Sequence, residues 1–247
     1  MTADALPLSV HGVRKQYRRY VVLDGVTFDV HPGEAVALIG PNGAGKSTLI
    51  GCITADRVPN AGEVRICGAD PFDRPREAAA CMGFVPEQPF LYPELSVAEL
   101  LRFVAAARGL EADASGAETE RLLALLGLAG AGQTLCRELS QGMGRKTAIA
   151  AALLHHPKMI LLDEALNGLD RTSAERLLAE LDARRAAGAA VLIASHDLDF
   201  LARWCGRGVL LPQAGRWMAL EGDVWEAWRR EPRLAAGSRG GAANPRG

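Results

Sequence analysis

The chain has 247 residues, 49% of them hydrophobic, and its 28 lysines and arginines are offset by 29 acidic residues, for a formal net charge of −1. This length suffices for one large domain with its own core. The near-neutral charge gives no sign of the strongly basic surface by which proteins hold nucleic acids, so we expect small-molecule or protein partners and no nucleic acid.

The N-terminus and the cysteines indicate the compartment. The first residues lack the basic and apolar regions of a signal peptide, and no run approaches the roughly 18 apolar residues of a membrane span. The five cysteines are widely spaced and include no C-x-x-C pair. The sequence therefore predicts a cytoplasmic chain that does not itself cross a membrane and whose thiols are reduced.

The first third of the chain predicts strands of two kinds. Short β-like runs alternate over residues 8–34, and a further strand over Glu63–Ile66 follows a turn. Between them, Ala35–Ile39 is a short apolar, β-branched run, which is typical of a buried parallel strand. Antiparallel strands are therefore expected to flank a parallel core.

A phosphate-binding loop follows that buried strand and precedes a helical pattern. It consists of Gly40, Pro41, Asn42, Gly43, Ala44, Gly45, Lys46, Ser47 and Thr48. The glycines let the backbone turn its N–H groups toward a polyphosphate. Lys46 is expected to reach the β and γ phosphates, and Ser47 to offer its hydroxyl to Mg²⁺. A plain glycine-rich turn is the alternative, but the strand and the helix supply the context that the motif needs.

The middle of the chain predicts an all-helical insertion. A helix is expected from Ser96 to Gly109, with a capping box formed by Ser96 and Glu99. A second helix is expected over residues 118–128, and the small, polar residues 111–116 between them predict an exposed connector.

The alternation of strands and helices then resumes. Met159–Leu162 and Ala190–Ala194 predict strands, separated by a helix that starts with a capping box at Thr172, so the core sheet should be parallel. Asp223 is expected to cap a short helix near the end. Residues 231–247 lack periodicity and predict a disordered tail.

Two carboxylates follow the strand over Met159–Leu162 directly, at the end where open α/β sheets place their ligands. Asp163 is suited to hold the hydration shell of Mg²⁺. Glu164 is suited to orient or deprotonate the water that attacks the γ phosphate. Two acids in a surface turn are the alternative interpretation.

Three further motifs make a family resemblance specific. Leu139-Ser140-Gln141-Gly142-Met143 lies about ninety residues after the loop, Asn167-Gly168-Leu169-Asp170 follows the carboxylates, and His196 ends the next strand. In this order they resemble the signature motif, D-loop and switch histidine of the ABC-type ATPases. The resemblance implies a P-loop NTPase of the ABC ATPase type: a mostly parallel α/β core sheet, an antiparallel β subdomain and an inserted helical subdomain. It implies one domain over residues 6–230, with the helical subdomain over about residues 94–157.

The resemblance also implies roles for individual residues. In that family two subunits pack head to tail, so Ser140, Gln141 and Gly142 of one would cover ATP bound to the other, with Asp170 nearby. The same comparison makes His196 a sensor of the γ phosphate.

The adenine and glutamine-loop positions carry alternatives. Tyr17 matches the aromatic position that stacks on adenine, with Tyr20 as the alternative and a tyrosine that merely packs on the strand as a third possibility. Glu87 falls at the glutamine-loop position, where it could hold Mg²⁺ through water, and Gln88 is the alternative.

Gln141 and Met143 depart from the usual signature and look like the form common in ABC-2-type exporter ATPases. The resemblance then implies an ATPase that uses ATP and Mg²⁺. It would power a separate transmembrane permease, pair with a second nucleotide-binding subunit as a homodimer or heterodimer, and lie on the inner face of the cell membrane. The alternatives are an importer ATPase, a soluble ABC ATPase acting on a ribosome, DNA or a protein complex, and a regulatory ATP-binding module without turnover.

Overall fold

The computed structural model describes residues 5–232, so nearly all of the tail predicted over residues 231–247 lies outside the described residues. The strands are β1 (Leu8–Tyr17), β2 (Tyr20–Val30), β3 (Ala35–Ile39), β4 (Ala61–Ile66), β5 (Met82–Val85), β6 (Met159–Asp163), β7 (Ala190–Ala194), β8 (Arg207–Gln213) and β9 (Arg216–Leu220). The α-helices are α1 (Lys46–Ile53), α2 (Pro75–Cys81), α3 (Val97–Ala107), α4 (Ala112–Leu125), α5 (Gln141–Leu153), α6 (Arg171–Ala186), α7 (Leu198–Trp204) and α8 (Gly222–Arg230).

The main sheet has the strand order β5-β6-β7-β3-β8-β9. All neighbouring pairs are parallel except the hairpin of β8 and β9, so the predicted mostly parallel core is confirmed. Every residue of β3, β6 and β7 is buried. The sequences of these strands are continuously apolar because both faces of the sheet are packed against other parts of the protein.

The alternation of side chains along β3 divides the interior into two cores. Ala35, Ala37 and Ile39 face a core built mainly from the helices, whereas Val36 and Leu38 face a second core that includes α1 and the antiparallel strands. Successive side chains of a strand point to opposite faces, so a five-residue strand can anchor both layers.

The antiparallel sheet has the order β2-β1-β4. The short runs predicted over residues 8–34 are in fact two long strands whose register shifts at bulges. Gly12 and Gly25 lie at these shifts with positive φ, a backbone conformation that glycine adopts readily. Because the bulges bend the strands without ending them, the hydrophobic pattern looks interrupted while the pairing continues.

The helical insertion consists of α3, α4 and α5 and lies between β5 and β6. The predicted capping box is present: the Glu99 backbone N–H donates to Ser96 Oγ, and the Ser96 backbone N–H donates to the Glu99 carboxylate. The predicted connector over residues 111–116 is wrong, because α4 already begins at Ala112. Ser115 lies inside this helix and donates its hydroxyl to the Ala112 carbonyl, so a polar segment continues as helix.

Two other predicted helix starts are also wrong. Helix α6 begins at Arg171, and Asp170 rather than Thr172 is its N-cap, because the Asp170 carboxylate accepts a hydrogen bond of 2.9 Å from the Ser173 backbone. Helix α8 begins at Gly222, and Asp223 lies in its first turn without capping it. An acidic residue there still interacts favourably with the helix dipole.

Candidate functional site

A cavity of about 300 Å³ lies where β3, β6 and β7 end at their carboxyl ends. Parallel strands bring the loops that follow them to the same edge of a sheet. The cavity is lined by Val22, Pro41, Asn42, Gly43, Gly45, Lys46, Ser47, Thr48, Glu87, Asp163, Glu164 and His196. The fold therefore brings most of the predicted phosphate loop together with the acidic residues and the histidine.

The glycines of the loop are needed for space as well as for backbone conformation. A Cβ atom on Gly40 would lie 2.4 Å from the carbonyl oxygen of Leu211, which is too close for any side chain. Gly45 is the N-cap of α1 with φ of 113°, and a Cβ atom there would lie 3.1 Å from the Val22 side chain. Helix α1 starts at the next residue, so the free N–H groups of its first turn border the cavity.

Lys46 is anchored inside the loop. Its Nζ donates to the carbonyl oxygens of Gly40 at 2.5 Å and of Pro41 at 3.3 Å. Burial lowers the pKa of Lys46, while the negative charges of Glu164, Asp163 and Glu87 oppose that shift. Lys46 is the first residue of α1, and a cation next to the free N–H groups at the start of a helix is suited to bind a polyphosphate.

Glu164 is held by one oxygen of its carboxylate. Oε2 accepts hydrogen bonds from Asn167 Nδ2 at 2.9 Å and from the His196 backbone N–H at 3.2 Å. Oε1 is buried and has no hydrogen-bond partner within residues 5–232; His196 Nε2 lies 3.4 Å from it without hydrogen-bond geometry. Oε2 is thus fixed by two hydrogen bonds, whereas Oε1 lies beside the His196 ring without a hydrogen-bond partner among the described residues.

Asp163 precedes Glu164, and the negative charge of its carboxylate is destabilised by its surroundings. Burial, together with the charges of Glu87 and Glu164, raises the pKa of Asp163 to about 6, although Lys46 and His196 act in the opposite direction. The fold therefore holds more negative charge here than Lys46 neutralises.

The donor set of the cavity fits Mg²⁺. This ion prefers oxygen ligands and uses one or two carboxylates, with substrate phosphates and water completing its shell. Asp163 and the Ser47 hydroxyl line the same cavity, with the Glu87 carboxylate beside them. The part of the chain that the structure describes contains no group of three or more His, Cys, Asp or Glu side chains placed to hold a metal ion by themselves.

Tyr17 lies outside the cavity but is connected to the loop helix. Its hydroxyl accepts a hydrogen bond of 3.2 Å from Arg57 Nη1, and the same nitrogen lies 3.5 Å from Thr48 Oγ1. Lys15 Nζ lies 5.3 Å from the centre of the Tyr17 ring. Tyr20, at the other side of the hairpin, is more exposed than Tyr17, at 62% against 44%.

The remaining site residues predicted from the sequence do not line this cavity. Ser140 is the N-cap of α5, and its Oγ accepts from the Met143 backbone at 3.3 Å; Gln141 and Gly142 form the first turn of that helix. Asp170 caps α6 and forms an ion pair of 2.6 Å with Lys146. The structure thus separates the signature residues and Asp170 from the phosphate loop of their own chain.

Two residues contact Glu164 in a way that the sequence did not predict, although Asn167 belongs to the D-loop motif. Asn167 donates to its carboxylate, and Arg145 donates to its backbone carbonyl. Arg145 is 7% exposed, but an arginine in a helical pattern does not by itself indicate burial, because arginine is usually exposed. Its partners are distant in sequence, so the pattern could not identify them.

The sequence model of the family described as "ABC transporter" matches residues 23–167, more than half of the chain. The chain belongs to the ABC transporter family. This ABC cassette is 35% identical over 201 residues to the Nod factor export ATP-binding protein I of Burkholderia pseudomallei (strain 1710b), with 81% of the chain and 66% of the relative covered. It is 32% identical over 212 residues to the protein of that name from Cupriavidus metallidurans, with 86% of the chain and 70% of the relative covered. The chain thus spans about two thirds of the length of these curated relatives.

Solved structures agree with this assignment. The cassette superposes on an ATP-binding subunit of an ABC transporter with a TM-score of 0.83 and 33% identity, covering 94% of this chain and 95% of that one. A dimeric ATP-binding cassette in a post-hydrolysis state, bound to ADP and Pi, gives a TM-score of 0.75 and 26% identity, covering 87% and 99%. The predicted fold and the assignment to the ABC ATPases are confirmed. Among residues 5–232, this ABC cassette has no helix long and apolar enough to span a membrane.

We expect Asp163→Asn to stabilise the free cassette at pH 7.5 by about 1–3 kcal/mol, because the raised pKa means that the ionised carboxylate is costly to hold in the fold. The folded-state pKa lies above the ordinary value of 3.8, so this cost is absent at low pH and grows as the pH rises toward 6. Urea unfolding in EDTA should therefore show a gain that shrinks between pH 7.5 and pH 5.

The exposed Asp73→Asn is a matched control and should change the unfolding free energy by less than about 0.5 kcal/mol at either pH. An Asp163→Asn gain of equal size at both pH values would contradict the argument from charge burial.

Proposed function

We propose that this chain is the ATP-binding and ATP-hydrolysing subunit that powers a separate transmembrane permease, and that the transport is export. The observation that carries the ATPase proposal is the Glu164 carboxylate beside the phosphate loop, which is fixed through Oε2 while Oε1 has no hydrogen-bond partner among residues 5–232. The direction is supported by relatives named as export ATP-binding proteins and by Gln141 and Met143 in the signature.

The phosphate loop is proposed to bind the nucleotide. Lys46 supplies positive charge to the β and γ phosphates, and the N–H groups at the start of α1 donate to them. Ser47 and Asp163 would hold Mg²⁺, with Glu87 acting through a water molecule. When bound, the ion supplies charge neutralisation for the phosphates. Tyr17, held by Arg57, provides a ring surface for the adenine base.

Glu164 is proposed to act as the general base. Its Oε1 accepts a proton from water while Asn167 and the His196 backbone keep Oε2 in place. The His196 side chain is 58% exposed and lies beside that free oxygen, so it can contact both the carboxylate and a γ phosphate in the cavity. Contact of the terminal phosphate with His196 would therefore affect the neighbouring Glu164 carboxylate.

A second subunit is proposed to complete the site. Ser140, Gln141 and Gly142 form the N-terminus of α5, where free N–H groups favour an anion, yet they do not line their own phosphate cavity. A head-to-tail dimer would bring them to the γ phosphate of the partner, with Asp170 at the same interface. The dimeric form of the similar cassette supports this arrangement.

Three exposed aromatic residues, here called the aromatic ladder, form the surface at which we propose that the permease docks. Phe90, Tyr92 and Phe103 are 79%, 48% and 50% exposed, and their rings contact each other edge to face at centroid distances of 5.7 and 5.5 Å. The ladder follows Glu87 closely along the chain and continues onto α3. Exposed aromatic groups of this kind mark interaction sites. A permease docked there would sense movement of the Glu87 loop and would hold the subunit at the inner face of the cell membrane.

Glu164→Gln should bind MgATP with an affinity close to that of the wild type but hydrolyse it at least about 100-fold more slowly, because the amide keeps the shape and loses the base. The variant should also accumulate as a dimer in MgATP, since hydrolysis no longer separates the subunits. Steady-state ATPase assays and sedimentation measure both effects.

The exposed Glu175→Gln on α6 is the matched control and should retain wild-type turnover. Wild-type turnover in Glu164→Gln would show that Glu164 is not the base.

The double substitution Phe90→Ser with Phe103→Ser should leave the ATPase rate of the isolated subunit within about twofold, because the ladder lies outside the cavity. It should abolish recovery of a polytopic membrane protein when the tagged chain is purified from solubilised membranes and its partners are identified by mass spectrometry.

Val224→Ser, at a 52% exposed apolar position on α8, is the control and should retain that partner. Recovery of the same membrane protein by the ladder variant would exclude this surface, and recovery of ribosomal or DNA-binding proteins alone would favour the soluble alternative.

A further inference from the structure

Arg145 is a buried arginine that joins two segments of the cavity wall. It lies on α5 and is 7% exposed. Its Nη1 donates to the carbonyl oxygen of Glu164 at 2.7 Å, and its Nη2 donates to the carbonyl oxygen of Glu87 at 2.6 Å. Both are short hydrogen bonds from a charged donor, and the planar guanidinium offers the two donors at a fixed spacing.

The backbone of Glu164 needs such support. Its φ is +52°, in the left-handed region that residues other than glycine rarely adopt. A backbone in this region persists only where surrounding contacts hold it. The Glu164 N–H donates to the Ala194 carbonyl at 3.0 Å, and the Glu164 carbonyl accepts from the Asn167 N–H at 3.1 Å as well as from Arg145. Among these donors and acceptors, only Arg145 contributes through its side chain.

We propose that Arg145 is a positioning residue for ATP hydrolysis. Its guanidinium fixes the peptide group of Glu164, and the direction of that peptide sets where the carboxylate oxygen Oε1 points. Arg145 also keeps the Glu87 loop at a constant distance from Glu164, because both carbonyls are bound to one rigid group. This inference rests on the proposed role of Glu164 as the base.

The position of Arg145 on α5 gives the contact a second consequence. The same helix starts at Ser140, the signature residue proposed to contact ATP of the partner. Near that end, a Cβ atom on Gly142 would lie 3.2 Å from the Gly168 carbonyl, and Lys146 pairs with Asp170 at 2.6 Å. A shift of α5 on binding of the partner's nucleotide is thus passed to Glu164 through Arg145.

Arg184 shows what a buried arginine with a structural role looks like in the same fold. It is 8% exposed and donates to the Leu153 carbonyl at 2.9 Å, but it also pairs with the carboxylates of Glu118 and Glu180. These partners join α4, α5 and α6 and do not line the cavity. Arg184 therefore provides a control with equal burial and no contact to Glu164.

The test is Arg145→Lys in two backgrounds, wild type and Glu164→Gln. A lysine can donate to one carbonyl but cannot bridge both in the same plane. In the wild-type background we expect kcat to fall by about 10- to 100-fold with KM for MgATP changed by less than about threefold, because misplacement of a catalytic group costs rate rather than binding. In the Glu164→Gln background, single-turnover assays should show a further loss of less than about twofold, because the base that Arg145 positions is already absent.

Arg184→Lys should change the rate by the same factor in both backgrounds. Thermal melting and MgATP binding check that each variant is folded, and Arg145→Gln, which can donate to one carbonyl, serves if the lysine variant does not fold. If Glu164→Gln is slow, two results would overturn the positioning role of Arg145. One is an unchanged kcat in a folded Arg145 variant, and the other is a loss of rate that is equally large in both backgrounds. Wild-type turnover in Glu164→Gln itself would overturn the proposed base and this inference together.

Discussion

The placement of Asp163 and Glu164 at the buried end of β6, next to Lys46, is the constraint on which the rest of the structure depends. The fold holds carboxylates where water cannot fully solvate them. The raised pKa of Asp163 shows that keeping its carboxylate ionised there costs free energy. These carboxylates face the cavity that we propose to hold phosphate and a divalent cation, which would offset their charge. Lys46, bound to loop carbonyls, offsets part of the charge without closing the cavity.

The architecture supplies the rigidity that this arrangement requires. Strand β3 lies in the middle of the main sheet, and its side chains anchor a core on either face. The ends of β3, β6 and β7 are therefore fixed relative to one another, and so are the phosphate loop, the carboxylates and His196 that follow them. The helical insertion is connected to this edge through α5, whose Arg145 contacts the backbones of Glu87 and Glu164. The proposed chemistry thus lies at the sheet edge, and one helix connects that edge to the helical insertion.

Local sequence is enough to predict some features of the fold but not others. The buried strand over Ala35–Ile39, the glycine loop after it and the capping box at Ser96 each depend on a few neighbouring residues, and each is present. The helix start assigned to Thr172 was wrong because two capping residues compete within three positions, and Asp170 forms the hydrogen bond. The connector over residues 111–116 was wrong because its small residues are compatible with helix once α4 packs.

Contacts between distant segments could not be predicted from the sequence. Arg145 is separated by 19 residues from Glu164 and by 58 from Glu87, and nothing in the intervening pattern fixes which carbonyls it meets. Asn167 is only three residues from Glu164, yet its contact depends on the left-handed backbone of the glutamate. The sequence thus points to the groups that we propose to carry the chemistry, whereas the groups that orient them emerge only from tertiary structure.

If each chain carries half of two composite ATP sites, hydrolysis requires two chains to meet. The decisive experiment is the ATPase rate per mole of subunit, measured at saturating MgATP over a range of protein concentrations in which sedimentation shows the chain to be mostly monomeric. We expect this specific rate to rise in proportion to protein concentration, so that the total rate is second order. A specific rate that stays constant across that range would show that one chain holds a complete site.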